Sequence, residues 1–72
     1  MLVKEDTLDA TNDIVSKIIE GTTVHSIEVQ GNTTVNMSYK NHKFTLRFVD
    51  TKISEIQLIE RAYEYINTIY QR

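Results

Sequence analysis

The sequence predicts an α+β fold, a two-layer sandwich in which a three-stranded antiparallel meander carries two helices on one face. The predicted order is α-β-β-β-α. Two observations lead to this fold class: both ends of the chain place apolar residues at helical spacing, whereas residues 24–48 alternate apolar and polar side chains as half-buried strands do. A chain of 72 residues has room for one domain, so we expect a single domain over residues 1–72.

The first helix is expected to begin at Asp6 or Thr7. Asp6 followed by Asp9 resembles a capping box, with Asp in place of the preferred Glu or Gln. Gly21 stands where a helix commonly ends in a left-handed residue. The residues of the predicted apolar stripe are Leu8, Thr11, Ile14, Val15, Ile18 and Ile19.

Three strands are predicted after this helix. One face of the sheet is apolar and the other polar, as in an antiparallel sheet that is covered on one side. The residues predicted to face the core are His25, Ile27 and Val29 in the first strand, Val35, Met37 and Tyr39 in the second, and Phe44, Leu46 and Phe48 in the third. The intervening residues, with Val24 among them, are expected on the open face.

The strand register is predicted from the rule that paired residues share a face. A two-residue turn at 41–42 would pair Met37 with Leu46, and Asn41 tolerates the positive φ of such a turn. A three-residue loop at 31–33 would pair Ile27 with Met37 and His25 with Tyr39, whereas a two-residue loop would mix the faces. We therefore predict loops of three and two residues.

The last helix has a clear predicted start. Ser54 and Gln57 form a capping box, and Ile53 with Leu58 supplies a hydrophobic staple. A start at residues 50–51 is the alternative.

The apolar residues of this last helix cover an arc of about 180° at helical spacing. A helix that covers a small sheet needs little more than ~100°. Chains below about 70–80 residues also tend to need a supplement to their core. We therefore predict a homodimer through this helix, and the predicted dimer or partner interface is Ile56, Ile59, Ala62, Tyr63, Tyr65, Ile66, Ile69 and Tyr70.

Composition limits the function classes. The chain has 8 basic and 10 acidic residues, which argues weakly against nucleic-acid binding because proteins that bind nucleic acids usually have a basic excess. It has no cysteine, so we expect a reducing compartment, the cytoplasm. No apolar stretch approaches the ~20 residues of a membrane span, so no membrane association is expected.

No catalytic, cofactor or metal site is predicted. The only histidines are His25 and His42, and no set of further ligands is placed to complete a zinc site. Gly21 and Gly31 are isolated, so a phosphate-binding loop is not predicted. No serine is placed with a histidine and a supporting carboxylate, and we expect a protein that is not an enzyme.

The open sheet face offers an alternative function. Four basic residues make a predicted local patch that would contact nucleic-acid phosphates: Lys40, Lys43, Arg47 and Lys52. The favoured interpretation of these residues is that charges on an exposed face and edge strand prevent aggregation. Nucleic-acid binding is therefore the second hypothesis, after binding of a protein partner.

The element order resembles that of the double-stranded-RNA-binding domain over most of the chain. The specific motifs of that family are absent: residues 51–55 read Thr-Lys-Ile-Ser-Glu where the family has Lys-Lys-x-Ala-Lys, and residues 31–34 read Gly-Asn-Thr-Thr where it has Gly-Pro-x-His. HicA toxins and small phage inhibitors, including some anti-CRISPR proteins, have a similar order. Fold order does not transfer function, so none of these families supplies a function for this chain. The apolar arc of the last helix and the lack of a predicted catalytic site favour a small interaction protein, a bacterial or phage accessory factor.

Overall fold

The computed structural model describes residues 2–4 and 7–70, and it confirms the α+β class and the α-β-β-β-α order. Two short strands, which the sequence did not predict, accompany the main elements. In chain order the elements are β1 Leu2–Val3, α1 Leu8–Ile18, β2 Thr22–Val29, β3 Thr33–Tyr39, β4 His42–Phe48, β5 Ile53–Ser54 and α2 Glu55–Tyr70.

The main sheet has the antiparallel order β2-β3-β4, and both helices pack on its apolar face. The buried apolar side chains form one cluster, to which α1 contributes Val15 and α2 contributes Leu58, Ala62 and Ile66. Its other members are Val3, Ile19, Val24, Ile27, Val35, Met37, Phe44, Leu46, Phe48 and Ile53.

The two short strands bring the starts of the helices together. Val3 of β1 pairs with Ile53 of β5, and both side chains are buried. At the other end, the backbone N–H of Lys40 donates to the Gly21 carbonyl over 3.2 Å, and the Tyr39 and Tyr70 rings lie 5.2 Å apart. The two helices therefore run side by side in the same direction, from the β1–β5 pair to the β3–β4 turn.

The β3–β4 hairpin differs from its predicted register. The turn residues are Lys40 and Asn41, with φ of 47° and 72°, and Met37 pairs with Phe44. The predicted turn at 41–42 is wrong by one position, which moves every cross-strand pair by two residues. Alternation could not separate the two registers, because a shift of two leaves each side chain on the same face.

The β2–β3 loop has the predicted length at a different position. It contains residues 30–32, closed by the pair Val29–Thr33, and the Gln30 N–H donates to the Asn32 carbonyl over 2.9 Å. Thr33 belongs to β3 instead of the loop, where it pairs with Val29 and Phe48, and its buried hydroxyl donates to the Asp50 carbonyl over 2.8 Å.

A β-bulge in β2 overturns two further predictions. The register shifts between Val24 and Ser26, so that Val24 pairs with Met37 and is buried, while His25 is exposed. An extra residue in one strand reverses the alternation beyond it. The placements of His25 on the core face and of Val24 on the open face are therefore wrong.

The predicted start of α2 is confirmed. The Ser54 N–H donates to Gln57 Oε1 over 2.8 Å, the Gln57 N–H donates to Ser54 Oγ over 3.2 Å, and Ile53 and Leu58 are fully buried. This reciprocal pair is a capping box, and it excludes the alternative start at residues 50–51.

The start of α1 agrees with Thr7, one of its two predicted positions, whereas its end departs from the prediction. The helix begins after Thr7, whose hydroxyl donates to the Lys4 carbonyl, and the predicted Asp6 cap lies outside the described residues. The C-terminal cap is Ile19, so Gly21 (φ 92°) lies in the turn into β2 and not in the capping position.

Candidate interaction surface

The sheet-facing side of α2 is filled by the subunit's own core. Leu58 and Ala62 are fully buried and Ile66 is nearly so. This corrects the interface prediction for Ala62 and Ile66, because side chains that pack against their own sheet are not available to a partner. Tyr65 and Ile69 are half-buried, and the Tyr65 ring stacks on Phe44 at 4.4 Å.

Another side of α2 stays open. Ile56 is 68% exposed, Tyr63 is 54% exposed, and Ile59 between them is half-buried. Their spacing of three and four residues places them in one stripe along the helix. Part of the predicted interface is therefore exposed apolar surface in the single subunit.

This stripe lies on the side of α2 that faces α1. Arg61 lies on the opposite side, where its guanidinium reaches β4 and donates to the Arg47 carbonyl over 3.0 Å. The buried residues Leu58 and Ala62 lie between these two sides. Since α1 is the neighbouring helix away from β4, the stripe borders the space between the helices.

α1 turns exposed apolar residues toward the same space. Its Asn12 side faces β2, because Asn12 Oδ1 accepts the backbone N–H of Val24 over 2.8 Å. Ile14 and Ile18 lie across the buried Val15 from Asn12, hence toward α2; Ile18 is 61% exposed. We call the combined patch the interhelical surface, and it consists of Ile14, Ile18, Ile56, Ile59 and Tyr63.

Acidic residues border the interhelical surface. Glu60 and Glu64 line a shallow depression together with Ile59 and Tyr63. On α1 the nearest charges form the exposed ion pair Lys17–Asp13, at 3.5 Å. Counting formal charges over both helices, the acidic side chains exceed the basic ones by three; they are Asp9, Asp13, Glu55, Glu60 and Glu64 against Lys17 and Arg61.

An aromatic cluster closes the sandwich beside the β3–β4 turn. Tyr70, 46% exposed, contacts the Tyr39 ring edge-on, and the His42 ring lies 6.2 Å from Tyr70 and 6.3 Å from Tyr65. His42 Nε2 lies 3.5 Å from the Tyr65 hydroxyl. Sequence reasoning missed this cluster because the predicted turn included His42, whereas the observed register pairs it with Tyr39. Tyr70 therefore supports the fold of its own subunit.

The open sheet face is a layer of short polar side chains. Asn36 Nδ2 donates to Ser26 Oγ over 2.8 Å, and Thr45 Oγ1 donates to Asn36 Oδ1 over 2.8 Å. His25 Nε2 and Ser38 Oγ form a hydrogen bond of 2.8 Å. Within residues 2–4 and 7–70, no three histidine or carboxylate groups converge as metal ligands would.

The structure separates the four basic residues of the predicted patch. Lys43 and Arg47 share the open face of β4, four residues or roughly 13 Å apart along the strand. The Lys40 ammonium lies 5.3 Å from the Tyr39 ring, on the side of the sheet that the helices cover. Lys52 is in the connection before β5. The predicted patch is therefore reduced to two basic residues on one strand face, Lys43 and Arg47.

The chain has no significant match among protein-family models, curated proteins or solved structures. Neither α1 nor α2 is long and apolar enough to cross a membrane.

Proposed function

We propose that this chain is a small non-catalytic interaction protein that self-associates through its interhelical surface and then binds a protein partner. The observation that supports this most strongly is the exposure of Ile18, Ile56 and Tyr63 on facing sides of two adjacent helices. Monomeric proteins rarely expose contiguous apolar patches larger than a few hundred Å².

A second copy is the occupant that fits this surface best. In a symmetric dimer the same patch serves both subunits, so each apolar residue that one copy supplies is matched by the other. The dimer would also extend a core that is small for an isolated domain of 72 residues. Burial of the interhelical surface would therefore stabilise the fold and the assembly together.

The acidic border predicts how salt acts on this dimer. Two copies that meet through their helical layers bring like charges together, including Glu60 and Glu64 of each. Salt screens repulsion between exposed charges. Self-association should therefore strengthen as ionic strength rises, the opposite of the salt dependence of nucleic-acid binding.

A dilution series followed by amide NMR tests the dimer and its location. Resonances of Ile56, Ile59 and Tyr63 should shift with concentration, whereas those of the open sheet face should not. Ile56→Asp and Tyr63→Asp should remove the shifts, because each places a charge in the contact. Val49→Asp is the matched control, since Val49 is an apolar residue that is 90% exposed outside both helices. Spectra that do not change with dilution would contradict the proposal.

Nucleic-acid binding by the open sheet face is the second candidate. Lys43 and Arg47 support it, and the separation of Lys40 and Lys52 from them weakens it. A gel-shift series at low salt with wild type and the Lys43→Ala/Arg47→Ala variant tests this function. Binding that depends on both residues and falls steeply with salt would support it.

The biological setting belongs to the same proposal. A stand-alone interaction domain of this size suits an accessory factor, of bacterial or phage origin, that modulates a larger protein. On composition alone we propose the cytoplasm as its compartment. A pull-down from the native cell that recovers one protein with wild type, but not with Tyr63→Asp, would identify the partner.

A further inference from the structure

The two edges of the main sheet differ in how well they are protected. At the β2 edge a bulge at His25 interrupts the ladder, and Asn12 of α1 accepts the N–H of Val24. Bulges and covering groups are common protections of an edge strand against further pairing. At the β4 edge the ladder with β3 is regular over all seven pairs, from Thr33–Phe48 to Tyr39–His42. The β4 edge is thus the more suitable template for an added strand.

Hairpin geometry defines which backbone groups of β4 point away from the sheet. In a two-residue hairpin the closing pair, here Tyr39–His42, is hydrogen-bonded, and bonded pairs then alternate along the ladder. Phe44 and Leu46 therefore bond to β3, whereas Lys43, Thr45 and Arg47 direct their N–H and C=O groups outward. The bond from Arg61 Nη2 to the Arg47 carbonyl reaches β4 from that outer side and agrees with this assignment.

The side chains along the β4 edge argue against pairing with a second β4. An antiparallel pair centred on Thr45 would place Lys43 opposite the Arg47 of the other copy, and like charges directly opposite are destabilising. An extended segment with carboxylates at those two positions would instead form opposite-charge pairs. The charges thus favour an acidic strand over self-pairing.

We propose that the β4 edge binds an extended acidic peptide segment as a fourth strand of the sheet. Backbone hydrogen bonds to Lys43 and Thr45 would supply the affinity, and the Lys43 and Arg47 side chains would select carboxylates on the open face. This site lies on the other side of α2 from the interhelical surface, and the inference does not depend on self-association.

Arg61 would control one end of this site. Its guanidinium lies 4.9 Å from the Phe48 ring and donates a hydrogen bond to the outward-pointing Arg47 carbonyl. A peptide that extends past Thr45 must replace this bond with one from its own N–H. Arg61→Ala should therefore strengthen binding, since it leaves the Arg47 carbonyl open to the added strand.

The test uses the full chain and two capped peptides of about nine residues, one alternating Val with Glu and the other Val with Lys. The Glu peptide should bind to wild type and slow hydrogen exchange at the Lys43 and Thr45 amides, but not at Phe44 and Leu46, which already bond to β3. The Lys43→Glu/Arg47→Glu variant should reverse the preference, binding the Glu peptide about tenfold less tightly than wild type does and favouring the Lys peptide.

Thr45→Pro is the backbone control. Proline removes the outward N–H, and it is tolerated on an edge strand at such a position. This variant should keep the fold by circular dichroism and lose peptide binding. No binding of the Glu peptide to wild type, equal binding of both peptides, or exchange protection along β2 instead of β4 would each overturn the proposal and leave Lys43 and Arg47 as protection against aggregation only.

Discussion

The two sides of α2 differ in what covers them. Leu58 and Ala62 meet the sheet and are fully buried, whereas Ile56 and Tyr63, about a quarter-turn or more around the same helix, remain more than half exposed. The apolar arc is continuous around the helix, but the sheet covers only the half that contains Leu58, Ala62 and Ile66. A wide apolar arc on a helix over a small sheet thus predicts a buried strip and an open border, and the open border is the candidate for binding.

Charge placed on the two sides should have the most unequal effects. Ile66→Asp would bury an unpaired carboxylate and should reduce the free energy of unfolding by about 3–5 kcal/mol, enough to unfold most of the protein. Ile56→Asp, on the open side, should change monomer stability by about 0.5 kcal/mol or less. Urea unfolding of dilute protein, followed by circular dichroism, measures both. Equal losses would show that the burial difference along α2 is wrong.

Truncation of the buried side comes next in size. Leu58→Ala leaves a cavity in place of a fully buried side chain, and it should destabilise the fold by about 2–5 kcal/mol. Ile56→Ala is the matched variant on the open side and should cost a few tenths of a kcal/mol. Thermal unfolding of the two variants measures both effects. An Ile56→Ala variant that lowers Tm as much as Leu58→Ala would contradict the difference between the two sides of α2.

Both sides of α2 depend on the start of the helix. Ser54→Ala removes the hydroxyl that accepts the Gln57 N–H, and it should reduce stability by about 1 kcal/mol. Ser54→Asp keeps an acceptor at the N-cap and should restore most of the loss. Chemical denaturation of the three proteins measures this effect, and a fully stable Ser54→Ala would exclude a contribution from the cap.

A gain in stability, similar in size to the effect of the cap, is expected on the buried side of α1. Thr22 and Thr33 bury hydroxyls that donate to backbone carbonyls, but the buried Thr11 hydroxyl has no hydrogen-bond partner among the described residues. Thr11→Val should therefore raise the free energy of unfolding by about 1 kcal/mol. Thr22→Val should lower it by a similar amount, because it removes a bond of 2.6 Å to the Ile19 carbonyl. A Tm that falls with Thr11→Val would contradict this assignment.

Alternation and capping signals in the sequence were sufficient to predict the order of the main elements. They placed the start of α2 at the correct residue, because Ser54 and Gln57 form a local bond that needs no tertiary context. The registers were not predictable in the same way, since a two-residue shift preserves the faces. The bulge at His25 was also not predictable, because it lies beside a bond between the Val24 N–H and Asn12, a residue of another element.

Helical spacing predicted part of the exposed apolar surface on α2 and none of it on α1. Helical spacing identified Ile56, Ile59 and Tyr63, but it gave no means to separate them from Ala62, which the sheet covers. The exposure of Ile18 was not expected, because the apolar stripe on α1 was narrow enough to be assigned to the core in full. Only the relative placement of the two helices shows which borders of the two stripes face each other.

Sedimentation equilibrium of the wild-type chain tests the central claim most directly. If the interhelical surface pairs two copies, the average mass should rise from 8.4 kDa toward twice that value as concentration increases, and the rise should be steeper at high salt. A mass that stays at 8.4 kDa across the micromolar range at every salt concentration would contradict self-association through α1 and α2.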